Sequence, residues 1–381
     1  MNYFKILYFL ERGNKNLFDV SIAEQKAFME TLDEPKNDID RSYNQYLCQN
    51  FFVPRFKIIA FNVIFAFVPP LLLLAYLIKG CFVKHKYDIE AIASMKLSSG
   101  YFPTSITNEY NTNDEEWGSG QSLKIDDFNF CLKILRKWIK SPYFVCKSMV
   151  YVAVYSDMIH KYAPKVLLSH CEFSFSSSVL TSYCEGKGIK HINTMHGEKL
   201  FYIRDSFFRF HQCYVWDNHY VDLFISMNAE PSQFRVFTPK SLKFDSNKYI
   251  DSKHYAFYKY YLQICDENEL RQIIKILRSL ESESVTFKLR PHPDYTDMKL
   301  LHKLIDEDHI EDPSKVSIEE SISNTRYVIG SYTSVLNQAF YSGRTAVLDD
   351  VVFLAQYKKL SDRQYILTKK EVLLFSKLIN K

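Results

Sequence analysis

The chain has 381 residues, which at roughly 150 residues per domain predicts about two to three domains with room for sizeable cores. Hydrophobic residues make up 47% and charged residues 24%, which excludes a disordered, collagenous or purely coiled-coil chain. The formal net charge of +4 is too slight and too interspersed for a protein that binds nucleic acid by neutralising phosphates. An aromatic share of 16% beside only 10 glycines is the departure from average usage.

At the start, MNYFKILYFLERGNKN has a short apolar run ending in charges and no small-residue cleavage site, so residues 3–10 read as a first strand. The eight cysteines are scattered and form no CxxC pair, and they read as reduced core thiols of a cytoplasm-facing protein. Residues 58–78, IIAFNVIFAFVPPLLLLAYLI, carry no charge and are long enough to cross a bilayer. Pro69 and Pro70 fall in the middle, and Arg55, Lys57, Lys79, Lys84 and Lys86 flank both ends, so the positive-inside rule gives no orientation. This pattern predicts a helical hairpin dipping into one leaflet and bent at the prolines. Residues 98–122 read as a surface loop, and 130–144 as an amphipathic helix with a basic face.

From residue 165 the elements alternate. KVLLSH, IKHINTMHG, QCYVWD and FRVFTP read as strands, with SFSSSVLTSYCEGKG and NHYVDLFISM as helices between them. Residues 239–255 are polar and read as a linker. After it come the helix ENELRQIIKILRSLES, a strand over 285–289, the helix MKLLHKLIDE, a short helix SIEESISN, the strand RYVIG, the helix SYTSVLNQAFYSG and the strand TAVLDD. Alternation of this kind predicts two parallel α/β sheets joined near residue 245.

Ligands of open α/β sheets bind beyond the carboxyl ends of the strands, and four features stand there. Arg290-Pro291-His292-Pro293 holds a guanidinium and an imidazole on a rigid turn, both suited to phosphate. Gly330-Ser331-Tyr332-Thr333-Ser334 opens a helix with Ser331 as its cap, and the amides with the hydroxyls of Thr333 and Ser334 offer an anion site. His196-Gly197-Glu198 and Glu172 supply candidate bases, with Gly197 leaving space for a substrate. Asp349 and Asp350, after the last predicted strand, are placed to bind a ribose. The Asp38-Ile39-Asp40 and Asp306-Glu307-Asp308 matches to a DxD pattern lie away from strand tips and read as surface charge.

His196-Gly197, Arg290-Pro291-His292-Pro293 and Ser331-Tyr332-Thr333-Ser334, in this order across residues 160–350, resemble the HP-motif group of GT-B glycosyltransferases of bacterial surface polysaccharide synthesis. That group includes sialyl- and polysialyltransferases, Kdo transferases and CDP-glycerol glycerophosphotransferases. The resemblance implies two Rossmann-like domains facing a cleft: residues 1–245 for the acceptor, with the hydrophobic insertion at 58–78, and 246–381 for the donor nucleotide, with the last helix packing back on the first domain. It implies transfer from a CMP-activated sugar to a glycan or lipid-linked glycan in capsule or lipopolysaccharide synthesis, at the cytoplasmic face of the inner membrane. Arg290, His292, Gly330, Ser331, Thr333 and Ser334 would hold the donor phosphate, and Glu172, His196 or Glu198 would be the acceptor base. Asn337 and Gln338 stand where many UDP- or GDP-sugar enzymes place a glutamate pair, and no metal or other cofactor is expected. The alternatives are a CDP-alcohol phosphotransferase or a non-catalytic membrane scaffold of the same fold. A phosphate-ester hydrolase built on His196 and His292 lacks the clustered ligands or nucleophile turn it would need.

Overall fold

The computed structural model describes residues 17–118, 120–251 and 255–379. The strand expected over residues 3–10 lies outside them. Two compact units emerge: the first runs to His196 and resumes over Phe201–Phe237, and the second takes Gly197–Leu200 together with everything from Thr238 onward. The division expected near residue 245 thus falls several residues earlier, and a four-residue segment of the first half belongs to the second unit.

The first unit contains a sheet of β1 (Ala91–Ala93), β2 (Thr112–Asn113), β3 (Val166–Ser169), β4 (Lys190–Thr194), β5 (Gln212–Val215) and β6 (Phe234–Val236). Its order is β2-β1-β3-β4-β5-β6, with every pairing parallel. Strands of such sheets are covered on both faces. Here Ile92 and Leu167 enter one core cluster while Ala91, Ala93, Val166 and Leu168 enter another, the period-2 alternation of a doubly covered sheet. The larger cluster is organised by the helix Pro142–Tyr162, which is buried on most of its circumference. Proline at its first position costs no hydrogen bond, and Ala163 ends it in the left-handed region at φ 41°. The helix expected over 130–144 is therefore two, Phe128–Lys137 and Pro142–Tyr162. The loop expected over 98–122 holds a helix, Thr104–Glu109, and the edge strand β2.

The apolar stretch forms two helices, Arg55–Ile64 and Val68–Phe82, bent by 56°. The bend lies at residues 65–67 and not at the prolines. Pro69 and Pro70 sit in the first turn of the second helix, where their missing N–H groups have no intrahelical partner to lose. Among the described residues no single helix is long and apolar enough to cross a membrane.

In the second unit β7 (Ala256–Tyr261), β8 (Phe287–Arg290), β9 (Thr325–Gly330), β10 (Thr345–Leu348) and β11 (Leu373–Leu374) form a parallel sheet of order β11-β10-β9-β7-β8. The helix Glu267–Leu280 starts with an Asp266–Glu269 capping box and buries Leu270, Ile273, Ile274 and Leu277 on one stripe. The last described helix, Phe375–Ile379, places Phe375 and Leu378 in the core of its own unit. All eight cysteines are free thiols.

Candidate functional site

Each sheet has one point where the chain order reverses. In the first, β1 is followed by β2 on one side and β3 on the other; in the second, β7 is followed by β8 on one side and β9 on the other. Ligands of open α/β sheets bind at the carboxyl ends of the strands flanking such a point.

At the first reversal Ser94 follows β1 and His170 follows β3, and Ser94 Oγ lies 2.6 Å from His170 Nδ1. His196, after β4, stands perpendicular to the His170 ring at 4.7 Å, with Phe173 6.0 Å away on another side. Both histidines are half-buried. Ser94 was not singled out from the sequence, because β1 is three residues long and gave no strand signal to mark its tip, whereas His170 ends the expected strand KVLLSH and was passed over for Glu172, two residues further on. Of the expected bases, His196 alone joins this group. Glu172 is fully buried, and its Oε2 accepts a hydrogen bond from Asn193 Nδ2 at 3.0 Å. Asn193 Oδ1 in turn accepts from Cys171 N at 2.8 Å, so the carboxylate belongs to the network that shapes the β3 tip. Glu198 belongs to the second unit and accepts from Asn337 Nδ2 at 2.9 Å. Gly197 has φ 70°, and a Cβ there would meet nothing within 4 Å. It is needed for its left-handed backbone and not to leave space, as first read.

At the second reversal, the turn after β8 closes on itself. His292 N donates to Thr296 Oγ1 at 2.8 Å and the ring stacks on Tyr295 at 4.3 Å. Asp294 N donates to His292 Nδ1 at 3.1 Å. A ring nitrogen that accepts is unprotonated, so neutral His292 carries its proton on Nε2 and offers a donor there. The helix Ser334–Tyr341 is capped by Thr333, whose side chain accepts from Val335 N at 3.3 Å, and not by Ser331, which is buried. Ser334, in its first turn, is exposed. A Cβ on Gly330 would stand 3.2 Å from Thr333 Cγ2, so this glycine lets the capping residue approach the strand tip. Gln263, two residues beyond β7, donates to Tyr332 O and ties the two sides of the reversal together. A cavity of about 450 Å³ borders the histidine turn, lined by Pro291, Met298, His302, Ile310, Glu311 and Val316 among others.

Three expected ligands are engaged elsewhere. Arg290 is 7% exposed, with Nη1 on Glu311 Oε2 at 2.7 Å and Nη2 on Val316 O at 2.9 Å, so it is a core ion-pair partner and not a phosphate ligand. Asp349 accepts from Tyr260 OH at 2.5 Å and from the amides of Val351 and Val352 at 2.9 and 2.8 Å. Asp350 holds Ser376 through both oxygens, at 2.8 Å to N and 2.6 Å to Oγ. Both aspartates shape the loop after β10, and neither is left to a ribose. In the first unit Asp126, Asp127 and His160 gather three potential metal ligands, but Lys187 Nζ lies 2.5 Å from Asp126 and 2.6 Å from Asp127. The ammonium stands where a cation would.

No family model matches the chain, and no curated protein matches it. Solved structures similar to it include the wall teichoic acid polymerase TagF, at 12% identity, TM-score 0.34, covering 64% of this chain and 71% of that one. The H548A variant of the same polymerase is similar at 13% identity, TM-score 0.37, covering 84% and 81%. The glycosyltransferase of kitacinnamycin is similar at 8% identity, TM-score 0.39, covering 73% and 84%. Likeness at this level assigns neither an activity nor a substrate to this chain.

Proposed function

We propose that the chain is a GT-B-type glycosyltransferase of surface polysaccharide synthesis that uses a cytidine-activated donor, of the CMP-sialic acid or CMP-Kdo type, and a glycan hydroxyl as acceptor. One observation carries the reading: at the carboxyl edge of the second sheet, a histidine with its proton fixed on Nε2 and a helix start opened by Gly330 and capped by Thr333 flank the strands of the chain reversal. Both are donors suited to a phosphate oxygen.

In this reading His292 and the first-turn amides of the Ser334–Tyr341 helix take the donor phosphate, with Thr333 and Ser334 beside them. The cavity next to Pro291 has the size of a ligand site and would receive the nucleoside. The bond between the sugar's anomeric carbon and the phosphate oxygen breaks, and the departing CMP keeps the electron pair. Preorganised donors stabilise the charge that develops on it. The acceptor oxygen forms the new bond to the anomeric carbon and gives up its proton to a general base, the role that this reading keeps for His196. No step calls for a metal or another cofactor.

A thermal-shift comparison of CMP, CDP, UMP and GDP on the wild type and on His292→Ala tests this. Stabilisation by a cytidine nucleotide that the substitution removes is expected. CDP acting where CMP does not would move the donor to a CDP-alcohol, and stabilisation by UMP or GDP alone, or by none, would overturn the donor assignment.

A further inference from the structure

The bent helix pair Arg55–Ile64 and Val68–Phe82 is apolar on two opposite sides, and only one of them is used by the fold. On the inner side Leu73 and Tyr76 join the core around the Pro142–Tyr162 helix, Phe61 stacks on Tyr143 at 4.8 Å, and Phe65 meets the same ring at 4.9 Å. The backbone is seated as tightly as the side chains. A Cβ on Gly80 would lie 1.8 Å from Leu123 O, Leu123 N donates to Tyr76 O at 3.0 Å, and Lys124 Nζ donates to Gly80 O at 2.7 Å and Val83 O at 2.9 Å. The pair is therefore a fixed part of the first unit.

The outer side is different. Val63 is 70% exposed, Phe67 82% and Phe82 79%, and Phe56, Leu71 and Ile78 stand out with them. Helices that are apolar all round belong in an apolar environment on every side, and contiguous exposed apolar surface of this kind marks an interaction site. The charges within the segment itself have one sign. From residue 55 to 87 there is no Asp or Glu, while Arg55, Lys57, Lys79, Lys84 and Lys86 stand at the two ends of the pair. Such a patch matches an anionic surface. A second copy of the chain, packed about a twofold axis, would set this cationic rim against itself.

Packing chooses between crossing a membrane and lying on it. At 1.5 Å per residue the helices measure about 15 and 22 Å, so only the pair together reaches the ~30 Å of a hydrocarbon core, but the pair is bent by 56° and its inner face is held by the protein's own core, which leaves one side for lipid.

We propose that the outer face of this helix pair seats the protein in one leaflet of an anionic bilayer, its apolar side chains in the acyl boundary and its basic ends at the headgroups. This is the arrangement of an interfacial anchor. It rests on the fold of the first unit alone and stands whether or not the transferase reading does.

The test uses the full chain with phosphatidylcholine vesicles, with and without phosphatidylglycerol, in sedimentation binding. A Phe67→Trp variant with acyl-brominated lipid reports insertion through fluorescence quenching. Binding to the anionic vesicles with quenching is expected. The combined Arg55→Gln, Lys79→Gln and Lys84→Gln variant should lose about 150-fold in affinity for anionic vesicles, at roughly a factor of five per basic residue. The combined Ile64→Glu, Phe67→Glu and Leu71→Glu variant changes only exposed positions, so it should keep its melting temperature and lose binding altogether. Three outcomes would overturn the proposal: binding to neither vesicle, equal binding by the wild type and the glutamate variant, or no vesicle binding together with a wild-type dimer in light scattering that the glutamate variant abolishes. The last would assign the face to a second copy of the chain.

Discussion

The first sheet is packed by aliphatic and aromatic side chains around a neutral histidine, whereas the second carries a lysine through the strand on which its order reverses. His191, in β4, is fully buried between Thr181 Oγ1 at 2.8 Å and Tyr155 OH at 3.1 Å, and burial pulls it down to about 3. Lys259, in β7, is also fully buried, but its ammonium meets Glu311 Oε1 at 2.5 Å and Ser321 O at 3.1 Å, and Glu311 simultaneously holds Arg290. The fold accommodates His191 by keeping it uncharged and Lys259 by supplying its counter-charge. The two should therefore fail under different insults.

Removing the counter-charge should have the largest effect. Glu311→Ala leaves two buried cations facing each other, and breaking a buried pair in this way costs about 3–5 kcal/mol. Urea denaturation followed by circular dichroism measures it, and a loss below about 1 kcal/mol would mean that water screens the network.

Acid should find the first sheet before the second. The folded state holds His191 deprotonated well below its ordinary value of 6.5, so between pH 6.5 and 3 the unfolded chain binds the extra proton and stability falls as pH falls. The loss from this residue should reach about 2 kcal/mol at pH 5, and His191→Gln should flatten that part of the curve. For Glu311, burial pushes the carboxyl up, but Lys259, Ser321 and Arg290 outweigh it and hold it below 4.5. Its contribution is present above pH 4.5 and is lost only below that. A stability curve flat from pH 7 to 5 would remove the distinction between the two interiors.

The smallest difference concerns the glycines at the two strand tips. Gly197→Ala must place a side chain at φ 70° and should cost about 1–2 kcal/mol, although the space around it is open. Gly330→Ala meets Thr333 at 3.2 Å and no unfavourable φ, so it should cost less than about 1 kcal/mol while displacing the helix cap. Melting temperatures of the two variants decide whether conformation or space is the stricter demand.

The strands buried on both faces were legible because they read as continuous apolar runs: KVLLSH, IKHINTM and RYVIG all became strands at or within a few residues of their expected places. The strand on which each sheet reverses was not. β1 is a three-residue alanine-rich segment, and β7, AFYKYY, hides behind a lysine whose partner, Glu311, lies 52 residues further on. No local pattern reports a charge that is neutralised from so far away. Arg290 misled for the same reason, since a guanidinium at a strand tip looks like a ligand until Glu311 is seen beneath it. The bend in the apolar helices was placed at the prolines because a mid-helix proline breaks a helix, yet proline is equally at home in the first turn. His292 and the Thr333 cap were readable because turn and cap chemistry are local, whereas the Ser94–His170 contact joins residues 76 apart.

Gly197–Leu200 belongs to the second unit while the chain on either side belongs to the first, so the chain passes from one unit to the other three times. The two sheets are therefore not beads on a string that could be inherited, exchanged or expressed one at a time. A fragment beginning at Thr238 would leave Asn337 without the carboxylate of Glu198, and a fragment ending at Phe237 would carry Lys199 and Leu200, both buried in the whole protein, without the unit that they pack with. Recombination between relatives would have to respect this interlacing, with crossover points on both sides of the four-residue segment as well as at the start of the polar stretch that separates the sheets.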